Sequence, residues 1–399
     1  MKQHYSILII GGGNAGISVA AKLLLKRKTL DIAIIEPSDK HYYQPAWTLV
    51  GGGAFDIHKT VRPEASVMPK GVSWIQDRVE QFFPEDRKVQ TLSGATYSYD
   101  WMIVAAGIQL DWDKVEGLKA SIGKHGVCSN YAFDYAPYTY TCIKQIKPGQ
   151  TAIFTSPSTP VKCGGAPQKI MYLAADYFRK KGILPQVNVH FYSGGTKIFG
   201  VPKYAEALQK LVDQYGIGLH FHHDLISIDG ANQVATFLVH EADNREHKVD
   251  VPFDMIHVVP PQSAPDFVKR SPLADAQGWL DVDQHTLQHK RFPEIFGIGD
   301  VTNTPNAKTG AAVRKQAPVL VENLLALMDH KPMTASYNGY SSCPIVAGYG
   351  KLILAEFDYD NHPMETFPFN QAKPRWSMWV LKKYILPWLY WHRILKGTI

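Results

Sequence analysis

Short unbroken apolar runs, each followed by a helical pattern, set the grammar of this chain. Ser6 to Ile10 is such a run and reads as a strand buried on both faces, because a half-exposed strand would alternate. A helical spacing of Val19, Ala20, Leu23 and Leu24 follows, then a second run from Asp31 to Ile35. From Val72 to Gly107 the pattern is β-rich: Val79 to Phe83 and Lys88 to Leu92 flank a turn, and Tyr99 to Gly107 is apolar again. The order then recurs as strand Thr151 to Thr155, helix Gln168 to Lys180, strand Val187 to Tyr192 and helix Tyr204 to Tyr215. Strands near Gly218 to Phe221, Gln233 to Leu238 and Met255 to Val259 complete the second block. Strands alternating with helices predict an α/β fold with parallel sheets, and two such blocks in 399 residues predict two domains.

The turns between strand and helix carry the chemistry. Gly11-Gly12-Gly13-Asn14-Ala15-Gly16 joins the first strand to its helix and spells GxGxxG where that pattern has meaning. Its glycines permit a tight turn and close backbone approach, and the helix start offers free N–H groups to a pyrophosphate. Glu36 ends the second strand 20 residues after Gly16, where a carboxylate accepts from ribose hydroxyls. Gly11, Gly13, Asn14, Ala15, Gly16 and Glu36 are thus candidate cofactor-binding residues in a Rossmann-like unit. A later loop, Val50-Gly51-Gly52-Gly53, suggests backbone approach to a flat ligand.

The second block departs from this scheme. Its first strand opens into Lys162-Cys163-Gly164-Gly165-Ala166-Pro167, without GxGxxG, and its second ends in Ser193-Gly194-Gly195, without an acid. The expectation is a second Rossmann-like unit that has lost its nicotinamide site, with a cysteine in its place. A helix start and the adjacent Lys162 both favour the Cys163 thiolate. The four cysteines lack CxxC spacing, so neither a disulfide scaffold nor a metal site is predicted. Cys128 is a secondary redox candidate and Cys142 reads as structural.

The C-terminal tail changes the picture again. After Glu365 no acidic residue occurs, whereas Lys373, Arg375, Lys382, Lys383, Arg393 and Lys396 do, and these six equal the excess of 42 basic over 36 acidic residues. A diffuse basic surface for nucleic acid is therefore not the reading. Trp376, Val380, Tyr384, Trp388, Trp391 and Leu395 recur at helical spacing, and Pro387 predicts two short helices or a kink. Interfacial aromatics with one-signed charge predict a membrane-associating helical tail lying on an anionic bilayer. No segment reaches the roughly 18 uncharged apolar residues of a span, and no cleavable targeting segment is seen.

Tyr99 to Gly107, with Ala106 and Gly107 at its end, and Glu294-Ile295-Phe296-Gly297-Ile298-Gly299-Asp300 with Lys308 resemble the return segments of two-dinucleotide-domain flavoproteins, the FAD/NAD(P)-linked reductase fold. Ala106 and Lys290 stand where threonine is usual there. Tyr43-Gln44-Pro45, Cys163 to Lys169, Gly299-Asp300, Lys308-Thr309 and Cys343-Pro344 narrow the resemblance to the sulfide:quinone oxidoreductases, in particular the mitochondrial branch. The resemblance implies FAD as cofactor, with Gln44, Pro45, Val79, Ala106, Gly107, Gly299, Asp300 and Lys308 added to its binding residues. It implies that hydrosulfide attacks a Cys163–Cys343 disulfide or trisulfide, leaving a persulfide on one cysteine and a thiolate on the other. Electrons then pass through the flavin to membrane quinone, and a small acceptor (sulfite, thiol or sulfide) removes the sulfane sulfur. Ile345, Tyr349, Phe357, Phe369 and Trp376 are the expected quinone contacts.

The expected division is an FAD-binding domain over 1–115 and 285–335, a second Rossmann-like domain over 116–284, and a quinone and membrane region over 336–399. The expected location is peripheral, on the bacterial inner membrane, and homo-oligomer formation stays open. A type II NADH:quinone oxidoreductase, a flavocytochrome-partnered sulfide dehydrogenase and a non-catalytic membrane-bound redox sensor are the rivals. The missing second GxGxxG speaks against the first, the tail against the second and the paired cysteines against the third.

Overall fold

Parallel pairing of the apolar runs builds the first sheet. In the computed structural model, which describes residues 2–399, strand His4–Ile10 lies between Ile32–Ile35 and Thr96–Val104, with Ile9 opposite Ile34 and Ile103. Ile7 and Ile9 face one apolar cluster and Leu8 and Ile10 another, which is why the run does not alternate. Each fully buried aliphatic side chain of this kind contributes about 1.5–3 kcal/mol. Val72–Ile75 closes one edge of the seven-stranded sheet, the hairpin Val79–Phe83 with Lys88–Thr91 extends the other, and Ile295–Gly297 pairs parallel with Thr96–Val104. Helices Asn14–Lys26 and Gly310–Met328 cover the Ile9 face through Ile17, Ala20, Ala317 and Leu320.

A second sheet of five parallel strands follows the order Val127–Cys128, Met255–His257, Thr151–Ser156, Asn188–Ser193, Gly218–Phe221. Helices Ala166–Lys180 and Pro202–Tyr215 match the pattern read from sequence. The strand expected near Gln233 to Leu238 does not join this sheet. Val234–His240 instead forms an antiparallel sheet with His223–Asp229 and Glu246–Pro252, burying Ala235, Phe237 and Val239 on one side only. One-sided burial suits an antiparallel sheet and not the doubly covered parallel one.

A hairpin of Ser341–Gly348 and Lys351–Phe357 packs on helix Ala166–Lys180, and its core residues Ile345 and Ile353 have no solvent exposure. Beyond it the tail is one helical run from Trp376 to Ile394, with wide π turns at Leu381–Ile385 and Tyr390–Ile394. Pro387 does not break it. The Leu386 N–H already reaches back five residues to Leu381 O, so the proline arrives after the hydrogen-bond register has shifted.

The same shift corrects the expected apolar stripe. Trp376, Tyr384 and Trp388 are exposed, but Trp391 and Leu395 turn inward with Met378, Trp379, Lys382 and Tyr390. Each π turn adds a residue to the repeat, so a stripe counted at 3.6 residues drifts off its face. No helix among the described residues is long and apolar enough to cross a membrane.

Candidate active site around Cys163 and Cys343

Cys163 lies in the loop between strand Thr151–Ser156 and helix Ala166–Lys180, and the hairpin brings Cys343 to it from 180 positions away. Both are free thiols, with their Sγ atoms 3.2 Å apart. The close approach depends on small residues. A Cβ placed on Gly165 would lie 3.1 Å from Ile345 Cγ1, so the glycine lets the hairpin seat against the loop. Cys163 itself holds φ +59°, a left-handed conformation costing a non-glycine residue about 1–3 kcal/mol. Its N–H donates to Lys308 O (2.8 Å) and its carbonyl accepts from Ala166 N–H (2.6 Å), which ties the cysteine loop to the segment after Asp300.

The charge at the pair comes from lysines that sequence reasoning passed over. Lys169, on the first turns of the helix and only 4% exposed, places its Nζ 3.0 Å from Cys163 Sγ. The hydrogen bond from the Cys343 thiol and the Lys169 ammonium hold Cys163 well below the ordinary thiol range, against the opposing effect of burial. Cys343 moves the other way, pushed well up by the bond it donates to Cys163 and by burial. Burial opposes the Lys169 charge, but the Cys163 and Cys343 sulfurs raise its pKa above lysine's usual value. Lys382 arrives from the tail helix, 3% exposed, and donates to Pro45 O at 2.8 Å. Burial and the repulsion of Lys169 bring its pKa down to about 7.

Lys162, expected to be the thiol's cation, instead donates to Gln44 Oε1 at 2.6 Å, and burial lowers its pKa to about 8. Lys162 and Cys163, although adjacent in the loop, have different partners, whereas the first turn of the helix brings Lys169 to the thiol. A lysine set among Ile170, Met171 and Leu173 was the available signal.

The first loop is built as its glycines require. Gly11 has φ +106°, and a Cβ there would meet Ala105 O at 2.5 Å; one on Gly16 would come within 1.9 Å of Gly11 O. Around Gly13 nothing stands within 4 Å, so the loop is open on that side. Asn14 and Ala15 begin the helix, and Glu36 Oε2 accepts from Gly12 N–H at 2.8 Å. Ala106 and Gly107 follow the Thr96–Val104 strand, with Ala106 beside this loop, and Gly299 and Asp300 follow Ile298, whose N–H bonds Val104 O. Burial raises the Asp300 carboxyl above the usual range although Lys308 and Lys162 pull it down. Lys308 Nζ bonds Thr302 O at 2.8 Å, and burial lowers its pKa to about 8. Val79 contributes a buried side chain to the core of the edge hairpin.

Two other expected features sit differently. Gly51, Gly52 and Gly53 approach protein rather than open space: Cβ atoms there would strike Asn130, Leu173 and the Tyr140 ring. Ile345 and Phe357 are buried in one apolar cluster with Tyr349 and Phe369 at its edge, while Trp376 is 70% exposed. None of these five lines the open groove of about 850 Å³ between the tail and the 53–62 segment, whose walls include Phe55, Arg62, Lys383, Tyr384, Trp388 and Trp391. Cys128 and Cys142 are buried next to each other in the core beside Thr139, and neither makes a hydrogen bond to Cys163 or Cys343.

A family model for pyridine nucleotide-disulphide oxidoreductases matches residues 5–134. The mitochondrial sulfide:quinone oxidoreductase of Mus musculus is 46% identical over 396 residues, covering 99% of this chain and 87% of the relative. The chain belongs to the sulfide:quinone oxidoreductase family. Its relative from Dictyostelium discoideum, also named mitochondrial, is 46% identical and covers 100% of this chain and 87% of its own. The solved sulfide:quinone oxidoreductase of Aquifex aeolicus superposes with a TM-score of 0.82 at 18% identity, covering 100% of this chain and 92% of that one. The expected bacterial inner membrane draws no support from the two mitochondrial names. Membership in this oxidoreductase family implies a flavin cofactor. Polar atoms of the site fit such a group: both amide atoms of Asn130, the Tyr131 hydroxyl, Gln262 Nε2 and Gln316 Nε2 are buried without a protein partner. Of these residues, Gln262 bonds Lys162 N–H and Gln316 bonds Gly299 N–H through their oxygens, so unpaired donors stand along the path from Asp300 to Cys163. Buried polar groups without partners cost about 1–3 kcal/mol each, and a polar heterocycle would relieve them.

Proposed function

We propose that this protein oxidises hydrogen sulfide and passes the electrons to membrane quinone, with FAD as the flavin and Cys163 and Cys343 as the redox pair. The observation that carries this reading is the 3.2 Å approach of two sulfurs of opposite acidity in the loop where a nicotinamide-binding turn is missing. Gly11, Gly13, Asn14, Ala15, Gly16 and Glu36 would hold the dinucleotide end, and Ala106, Gly107, Gly299, Asp300 and Lys308 the remainder. When bound, the flavin supplies acceptance of two electrons and their delivery to a quinone. The stretches 1–115 and 285–335 would then form the flavin domain and 116–284 the second domain.

The cysteine chemistry follows from acidity. In the oxidised pair hydrosulfide attacks the Cys343 sulfur and the S–S bond breaks. Cys163 leaves as thiolate and Cys343 keeps the terminal sulfur as a persulfide. The lower-pKa sulfur is the better leaving group, and Lys169 stabilises the charge that appears on it. Sulfite, a thiol or a second sulfide then takes the terminal sulfur from Cys343. Sulfide added anaerobically is expected to bleach the oxidised flavin, quinone to restore it, and NADH to leave it unchanged. Fast bleaching by NADH would instead favour an NADH:quinone oxidoreductase.

The tail's exposed face supports docking on an anionic membrane surface. Trp376, Tyr384 and Trp388 project outward with Lys383 beside them, and the open groove of about 850 Å³ that the tail borders is a suitable size for a quinone ring. Because Trp379, Tyr390 and Trp391 on the other face are part of the core, deletion of the tail would damage the fold as well. Replacing Trp376, Tyr384 and Trp388 together by serine is expected to weaken binding to anionic vesicles roughly tenfold or more while leaving the melting temperature within a few degrees. Unchanged co-sedimentation with vesicles would rule out this face as the contact.

A further inference from the structure

We propose that Glu64 is a second cofactor-binding acid, held in position by the tail helix through His41 and Tyr390; this rests on the flavin reading above. Glu64, His41 and Tyr390 are 1%, 3% and 5% exposed, and the cysteine chemistry uses none of them. His41 Nδ1 lies 3.1 Å from Glu64 Oε2, and His41 Nε2 lies 2.6 Å from the Tyr390 hydroxyl. One tautomer satisfies both bonds: Nδ1–H donates to the carboxylate, and Nε2 accepts from the tyrosine O–H. Tyr390 is fixed in turn by its ring, 4.7 Å from that of Tyr43.

The other carboxylate oxygen is what points to a ligand. Glu64 Oε1 is buried and has no partner. It borders the first glycine loop, since a Cβ on Gly12 would lie 2.8 Å from it and 2.7 Å from Glu36 Cγ. Two carboxylates therefore flank Gly12, but they are not equivalent. Glu36 spends one oxygen on Gly12 N–H and the other on Ser38 N–H, both at 2.8 Å, whereas both lone pairs of Glu64 Oε1 are free. A pyrophosphate would be repelled by this oxygen. A ribose hydroxyl is the donor that a dinucleotide brings to the end of such a loop, and it complements an acceptor-only group. The His41–Tyr390 bonds hold Oε2, so Oε1 is left facing the loop, and the tail becomes part of the cofactor site.

The test is the release of FAD from purified holoprotein on dilution, followed by the gain in flavin fluorescence. Glu64→Gln keeps the size of the side chain and weakens the bond, so release is expected to become roughly tenfold faster. Tyr390→Phe, which removes only a hydroxyl, should accelerate release by a smaller factor of about three, and the double variant should be no faster than Glu64→Gln alone, as groups acting in series are not additive. Release at the wild-type rate in Glu64→Gln would mean that water satisfies Oε1, and fully multiplicative effects would mean that Tyr390 acts elsewhere; either result overturns the proposal. Should Glu64→Gln fail to fold, as judged by circular dichroism, Tyr390→Phe carries the test, and wild-type release in it overturns the relay. A wild-type protein that purifies without FAD and cannot be loaded with it would refute the underlying flavin reading instead.

Discussion

Replacing either Cys163 or Cys343 by serine will lower the rate of sulfide-dependent flavin bleaching on the order of a thousandfold or more, because the two residues act as a unit. A serine oxygen cannot form the S–S bond that hydrosulfide must break, so each variant loses the electrophile and not merely a contact. The two should still differ in a second measurement. Cys343→Ser retains Cys163 beside Lys169, with a hydroxyl able to donate where the Cys343 thiol did, and its thiol should alkylate readily. Cys163→Ser leaves Cys343 as the remaining sulfur of the pair, and because that sulfur is fully buried it should resist iodoacetamide for lack of access. Bleaching within tenfold of wild type in either variant, measured by stopped-flow absorbance, would remove that cysteine from the reaction.

Lys169→Met will raise the pKa of Cys163, because it removes a charge-assisted hydrogen bond of roughly 1.5–3 kcal/mol that favours the thiolate. The sign follows from which form the cation favours. Lys169 stabilises the thiolate, so its removal makes the thiol harder to ionise, and burial, which already opposes ionisation, then acts with less resistance. In the reduced protein, the rate of alkylation by iodoacetamide against pH should show its midpoint below the free-thiol value in wild type and closer to or above it in the variant. At neutral pH the variant therefore reacts more slowly, and raising the pH restores the rate. Lys162→Met provides the contrast: its ammonium is bonded to Gln44, so the midpoint should stay near that of wild type. A midpoint unmoved by Lys169→Met would shift the role to Lys382, which approaches the same sulfurs from the tail.

Much of the first sheet and its loop was legible because the relevant forces are local. Apolar runs unbroken over four or five residues call for strands covered on both faces, and the glycines between strand and helix follow from backbone sterics alone. The cysteine loop was visible for the same reason, as a departure from that local pattern. The charge around it was not. Lys162 looked like the thiol's partner because it is next in sequence, yet a side chain's neighbour in space depends on where its backbone points. One turn of helix brings Lys169 back to the sulfur, while Lys162 faces Gln44. The tail shows the same division: its aromatic and basic composition was plain, but two π turns reassigned Trp391 and Leu395 from the outer face to the core.

By itself, then, the order of residues determined the α/β grammar, the dinucleotide loop from Gly11 to Gly16 with Glu36, and the loss of a second such loop with Cys163 in its place, while the pairing with Cys343 came from the family resemblance. Only the tertiary structure decided that those cysteines meet at 3.2 Å, that Lys169 and Lys382 supply the charge beside them, and that Tyr390 reaches Glu64 through His41. The reason is one of range. Strand, turn and cap preferences act over a few residues and are written there, whereas the acidity of a buried thiol depends on charges within a few ångströms that arrive from the loop, the helix, the hairpin and the tail.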